Sequence, residues 1–379
     1  MSMAARSGRT LIVDEGDIAR GLRLLKRRCP HMRKAHAVAG DPPLRRDQVR
    51  MLSAARVNWI QPGIESLSDL TLKLMKKGSR GIQNIQLLKW TLESGTRVSW
   101  NWLFGFPGEN EAEVDRLAET VQAIHHLEPP NAASVLYLER FSPYHMTPDE
   151  WGLTGIRAAK AYAYVYPHAK ESVDNLAFFF DCDFFSKKEG GAAFAKLQKL
   201  VARWKWAHES SHLVAIPRRG ALWILDTREC RTRRLHRLTG LRREVYEHLF
   251  KARGLRKVVQ HFQGRAKPDE VTTLLQGLVA DKLVLESDER YLGIATDARM
   301  AYRRYPEFFP GGQITPPPPP GLAQRFKQAG SLSSFARGEA LRLAIAWAAR
   351  APMTGEIGDE DGSAAEERVP EDGERVGAA

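Results

Sequence analysis

The chain has 379 residues, 43% of them hydrophobic, with 57 Lys and Arg against 45 Asp and Glu, a formal charge of +12. That length leaves room for two domains with linkers, and the composition is that of a globular protein, which excludes a fibrous or wholly disordered chain. The sequence has no run of about 20 uncharged apolar residues and its first residues, "MSMAARSGRTLIVDEGDIAR", hold no apolar stretch of signal-peptide length, so a cytoplasmic protein with no membrane partner is expected.

In chain order, the first 60 residues read as a strand in "TLIVD", a helix in "IARGLRLLKR", a basic segment broken by "GDPP", a helix in "RRDQVRMLSAA" and a strand in "VNWIQP". Helices follow in "LSDLTLKLMKKG" and "IQNIQLLKWTLESG", then a strand in "RVSWNWLFG", a helix in "ENEAEVDRLAETVQAIHHL" and a strand in "SVLYLERF". Val114, Leu117, Val121 and Ile124 share one face of that last helix. Short apolar strands alternating with amphipathic helices predict parallel strands joined by crossover helices, an open α/β sheet or partial barrel.

Ligands of such folds gather where strands end and helices begin. Two loops are equipped for that. In "PGIESLSD", Gly63 loosens the backbone, Glu65 and Ser66 face the loop, and Ser68 or Asp69 caps the next helix. In "LFGFPGENE", Gly105 and Gly108 permit close backbone approach, Pro107 fixes the turn and Glu109 follows it. Glu65 and Ser66 are equally ordinary helix-entry residues near the positive end of a dipole, and the second loop is equally a tight turn with a first-turn glutamate.

Further along, Gly190 and Gly191 lead into a helix whose Phe194, Leu197, Val201 and Trp204 share a face, a linker helix over 186–212. Strands in "HLVAIPRRG" and "ALWILDTR" come next, then helices in "LRREVYEHLFKA", "LRKVVQHFQ" and "PDEVTTLLQGLVADK", and strands in "LVLES" and "RYLGIA" turning at Asp288-Glu289. Three helices closed by a hairpin predict a winged helix over 213–296. Basic residues crowd Pro217 to Val245, and they would attract an acidic partner, nucleic acid or peptide, or are equally the solvated arginines of exposed helix faces. The third helix opens with Asp269 and Glu270 and carries no arginine, which weighs against nucleic acid and leaves a peptide gripped by strand addition or a purely structural role. Five consecutive prolines mark 297–330 as a spacer, and 331–352 reads as a helix with Leu341, Leu343, Ile345 and Trp347 on an apolar face. The last segment, 353–379, is acidic: from Thr354 on it has nine acids and two bases, a net of −7, and predicts disorder.

The blocks "RRDQVRMLSAARVNWIQPGIESLSDLTLKLMKKG", "NIQLLKWTLESGTRVSWNWLFGFPGE", "RFSPYH", "YPHAKESVDNLAFFF" and "DKLVLESDERYLGIA" together resemble the radical S-adenosylmethionine superfamily, and more closely its cobalamin-dependent maturases of ribosomally made peptides. The resemblance runs from Leu44 to Ala295 and implies a partial (β/α) barrel over 44–185 preceded by a divergent segment, 1–43. It implies radical modification, C-methylation, of a precursor peptide. By it Gly63, Glu65 and Ser66 contact S-adenosylmethionine, Gly105, Pro107, Gly108 and Glu109 shape the neighbouring loop, and Ser142, Tyr144 and His145 line the substrate side.

The family holds its [4Fe–4S] cluster by three cysteines in a CxxxCxxC loop. This chain has three cysteines in all, Cys29, Cys182 and Cys230, far apart and without that spacing, and no cobalamin-binding region is recognised. No zinc site or disulfide framework is expected from them. Three accounts stay open: a truncated gene product inactive as a lone chain, half of a split maturase whose cluster and cobalamin domains come from a second polypeptide, and a catalytically silent, regulatory or peptide-binding winged-helix protein.

Overall fold

In the computed structural model, residues 10–13, 35–39, 44–55, 57–166, 170–218 and 220–298 are described. The helix expected in "IARGLRLLKR", Cys29, and the segments expected as proline spacer from residue 299 on, C-terminal helix and acidic tail lie outside them.

Four short strands, β1 (Thr10–Val13), β2 (Ala35–Ala39), β3 (Val57–Gln61) and β4 (Arg97–Val98), pair in that order, and every pair is parallel. Helix α1 (Arg46–Ala54) crosses from β2 to β3, and α2 (Asp69–Leu74) with α3 (Gly81–Ser94) crosses from β3 to β4. "RVSWNWLFG", expected as one strand, forms two: β4 and then β5 (Trp102–Phe104). Its period-two burial persists across the break, with Val98, Trp100, Trp102 and Phe104 all inside. What changes is the hydrogen-bonding partner. β4 bonds to β3, whereas β5 bonds in parallel to β6 (Ala133–Val135) after the crossover helix α4 (Glu113–Ala123). One extended segment thus carries the parallel order from β3 on to β6.

The order does not close into a barrel among the described residues. Beyond β6 the chain makes β7 (Leu138–Glu139), helix α5 (Pro143–Met146), a 3-10 turn at Pro148–Trp151 and β8 (Arg157–Ala158). Helices α6 (Ala161–Val165) and α7 (Lys170–Leu176) and strand β9 (Phe179–Asp181) complete an antiparallel sheet in the order β7-β9-β8. Helix α8 (Asp183–Glu189) then leads to α9 (Ala192–His208). The face of α9 read from the sequence is the buried one: Phe194 stacks on Phe104, and Trp204, fully buried, donates from Nε1 to Leu127 O at 3.0 Å.

Strands β10 (Leu213–Arg218), β11 (Ala221–Asp226) and β12 (Leu235–Thr239) form an antiparallel meander. β12 sits in the arginine-dense stretch, where His236 and Leu238 turn inward between exposed neighbours. Then come α10 (Gly240–His248), β13 (Arg253–Gly254), α11 (Leu255–Phe262), α12 (Pro268–Ala280), β14 (Val284–Ser287), β15 (Arg290–Gly293) and β16 (Thr296–Asp297). β13, β15 and β14 pair antiparallel in that order, and β16 adds to β10 in parallel. The β14–β15 hairpin turns through Asp288 (φ 49°) and Glu289 (φ 54°), both left-handed as a two-residue type I′ turn requires.

No seam in the apolar core separates the meander and helices from the parallel strands; one cluster runs from Leu44 to Ala295. Helix α3 is the axle. It is buried nearly all round, which explains its weak amphipathic pattern. Its polar side chains reach the far segments. Lys89 Nζ, fully buried and pushed down to about 8 by desolvation, donates to Gly293 O at 2.6 Å, and Gln86 Oε1 accepts from Ala252 N–H at 2.6 Å. Glu93 takes Arg46 at 3.0 Å on one side and Asp297 N–H at 3.3 Å on the other.

The first residue of α3 is glycine for a steric reason. A Cβ on Gly81 would stand 2.0 Å from Leu67 O. Gly81→Ala is therefore expected to cost about 1–3 kcal/mol by urea denaturation. Gly277→Ala, in α12 with nothing within 4 Å of the added carbon, is expected to gain roughly 0.5–1 kcal/mol. Equal effects at the two positions would contradict the packing at α3.

Candidate functional site

The two loops singled out in the sequence lie side by side. Leu103 N–H of β5 donates to Glu65 O at 2.8 Å, so the chain leaving β3 is stitched to the strand that enters the GFPGE turn. Helix α2 grows out of the first loop, and its first turn reaches into the second. Thr71 Oγ1 donates to Glu109 Oε1 at 3.0 Å, and Ser68 Oγ donates to Glu113 Oε2 at 2.9 Å. Ser68 is also the cap of α2, accepting from Thr71 N–H at 3.2 Å. Asp69 instead ties α2 to α3, accepting from Gly81 N–H at 2.6 Å.

The first loop turns through the left-handed region twice. Gly63 has φ 56° and Glu65 has φ 55°. For a side chain with a Cβ, the left-handed region costs roughly 1–2 kcal/mol. Such a conformation persists only where its surroundings hold it. Here the holders are Leu103 N–H on Glu65 O, Ser66 N–H on Ile64 O at 2.6 Å, and Asn84 Nδ2 on Ile64 O and Ser66 O at 3.2 and 3.0 Å. Ser66 is fully buried, and its hydroxyl accepts from Ser68 N–H at 3.1 Å. The Glu65 carboxylate reaches the surface and pairs with Lys77 at 3.1 Å.

Glu109 is turned inward. Its Oε2 accepts from Gly105 N–H at 2.6 Å and Phe106 N–H at 3.1 Å, closing the turn that Pro107 and Gly108 form. Burial raises its pKa, opposed by those amides, Thr71 and Lys188. Gly105 has φ 90°, and a Cβ there would lie 3.2 Å from Val135 Cγ1. Of the side chains in the two loops, Ser66 and Glu109 are thus committed to shaping them. Glu65 offers an accessible carboxylate, shared with Lys77.

Ser142, Tyr144 and His145 stand elsewhere, on α5. Ser142 caps that helix through His145 N–H at 3.3 Å, Tyr144 packs edge-on to Trp151, and His145 lies 4.7 Å from the Phe180 ring. Burial raises the Tyr144 pKa, and burial, then Arg140, lowers that of His145. Sequence reading missed the lacing residues Thr71, Asn84 and Glu113. Each acts on a partner 18 to 45 positions away, so no local pattern marks them.

Two histidines outside the loops carry a pH dependence. His125 is held down at about 4 by burial, with Glu229 opposing and Arg203, His208 and Arg228 assisting. His248, stacked on His261 with ring centroids 3.9 Å apart, is also held at about 4, by burial and then by His261. The unfolded chain takes up these protons near pH 6.5, whereas the fold refuses them until about pH 4. Stability is therefore full above pH 6.5 and is lost as pH falls toward 4. Urea midpoints should drop between pH 6.5 and 5, and less steeply in a His125→Gln, His248→Gln double variant. Flat midpoints across that window would refute the assignment.

Residues 10–121 match the family model described as "Radical SAM superfamily", so the match begins at β1, upstream of Leu44. No curated protein matches the chain. The family implies S-adenosylmethionine and a [4Fe–4S] cluster, and the donor set can be tested against that cluster. The matched segment contains one cysteine, Cys29. Cys182 is buried at the start of α8, and Cys230 donates to Gln122 O at 3.4 Å; burial pushes both thiols up, away from the thiolate a cluster needs. Among the described residues no group of three or more His, Cys, Asp or Glu is placed to hold a metal. The residues present do not fit a cluster held by three thiolates of this chain.

Proposed function

We propose that the chain is a portion of a radical S-adenosylmethionine peptide maturase that performs no radical chemistry alone. The observation that carries this reading is the family match over residues 10–121, on a segment supplying a single cysteine. Support comes from the loops of Glu65 and Gly105, which meet at the ends of β3 and β5 as a cofactor-side surface would. In this reading a second polypeptide brings cluster and cobalamin, and the completed assembly modifies, by C-methylation, a side chain of a ribosomally made peptide.

The peptide is assigned to the downstream part. Helices α10, α11 and α12 with the sheet β13-β15-β14 have the element order of a winged helix. Exposed Asp269 and Glu270 in the first turn of α12 disfavour a phosphate backbone along that helix. The test is fluorescence anisotropy of the full chain with short acidic peptides encoded beside its gene. Saturable binding of one of them is expected, and none binding overturns the peptide assignment. A second reading, a non-catalytic peptide-binding protein, is favoured by the missing thiolates. Equilibrium dialysis with S-adenosylhomocysteine, with and without the candidate partner polypeptide, separates the two: retained binding supports the split maturase, and its absence in both supports the non-catalytic protein.

A further inference from the structure

A concavity of about 400 Å³ opens where β13, the start of α11 and β15 meet. Five of its seven lining residues are cations: Lys251, Arg253, Arg256, Lys257 and Arg290. None of the five makes an ion pair among the described residues. The same region pairs its other arginines readily, Arg242 with Asp281, Arg243 with Glu247 and Arg265 with Glu244. Nearby carboxylates are engaged elsewhere: Asp288 holds Arg80, and Glu286 accepts from the Tyr291 hydroxyl. Glu289, at the hairpin tip, is not among the lining residues.

The helix adds to the excess. Gly254 caps α11 without a side-chain acceptor, and Arg256 and Lys257 occupy its first turn, at the positive end of the dipole where cations are disfavoured. The scaffold beneath is fixed, because Gly254 pairs with Arg290 across the sheet and Ala252 is bonded to Gln86 of α3. This is a preformed positive basin that an anion would relieve.

We propose that this basin docks the chain's own acidic segment, residues 354–379. The inference stands apart from the maturase reading. That segment has nine acids and two bases, and Arg takes peptide carboxylates by bidentate hydrogen bonds. Its separation from Ala298 is also suitable. A polypeptide of 55 intervening residues spans about 40 Å even as a coil. Each exposed ion pair is weak alone, but a tethered segment meets the basin at an effective concentration no free polyanion has. Tethering is what favours the tail over a nucleic acid.

The test uses the full chain and a full-length variant whose nine tail carboxylates are changed to amides. A fluorescent peptide of residues 354–379 is expected to bind the amide variant about tenfold more tightly than the unaltered chain, whose own tail occupies the site. In the amide variant, Arg256→Glu with Lys257→Glu is expected to remove that binding, as is raised salt. Carbodiimide coupling of the unaltered chain should link Lys251 or Lys257 to tail carboxylates, as read by peptide mapping. Equal peptide binding by both chains, or links confined to lysines such as Lys73 and Lys76, overturns the proposal. So does an oligonucleotide that binds at Arg256 and Lys257 where the peptide does not.

Discussion

The purified chain, reconstituted anaerobically with iron and sulfide, is expected to show no stoichiometric [4Fe–4S] spectrum and, with reductant and S-adenosylmethionine, to form no 5′-deoxyadenosine. The family's cluster needs three thiolates close together, with one iron left for the cofactor. The matched segment offers Cys29 alone; Cys182 follows β9 at the start of α8, and Cys230 is bonded to the end of α4. Burial raises the pKa of both of those thiols, so each resists the deprotonation that iron binding requires. Adding the candidate second polypeptide should restore the spectrum if the maturase is split. A stoichiometric spectrum from this chain alone would show that its own residues assemble the ligand set after all.

Much of the parallel sheet was legible because its signals are local. Apolar runs of four or five residues followed by amphipathic helices gave β1, β3, α1 and α4, and the glycines expected to loosen the backbone or allow close approach, Gly63, Gly105 and Gly108, all have positive φ. What stayed hidden was set by distant contacts. The strand "RVSWNWLFG" keeps one alternation of side chains while its ladder changes partner, and no sequence pattern records which neighbour a strand bonds. β12 was lost in its own arginines, although "LHRLT" does alternate. The loops were found as a pair, and the bonds inside them come from groups that no spacing marks. Ser66 faces inward and Glu109 closes its own turn, because Ser68 N–H and the amides of Gly105 and Phe106 are the nearest donors.

Replacing Arg228 is expected to be the most damaging single change outside the loops, about 3–5 kcal/mol by urea denaturation. Its side chain and that of Asp226 are both at 0% exposure, joined by a fork with Nε on Oδ1 at 2.9 Å and Nη2 on Oδ2 at 2.6 Å. The remaining donors satisfy Ala123 O at the end of α4 and Lys282 O before β14, so one guanidinium ties three segments together. Arg228→Ala strands a buried carboxylate and two carbonyls, whereas Arg228→Lys keeps the charge but loses the fork and should cost less. Arg203→Ala, which breaks the half-exposed pair with Glu229, should stay within about 0.5 kcal/mol. The informative case is Arg228→Met with Asp226→Leu. Removing both charges for apolar bulk should recover much of the loss, because the cost lies in the unpaired ion and not in the missing pair. If the double variant is as unstable as Arg228→Ala, the carbonyls of Ala123 and Lys282 are what the arginine is there to hold.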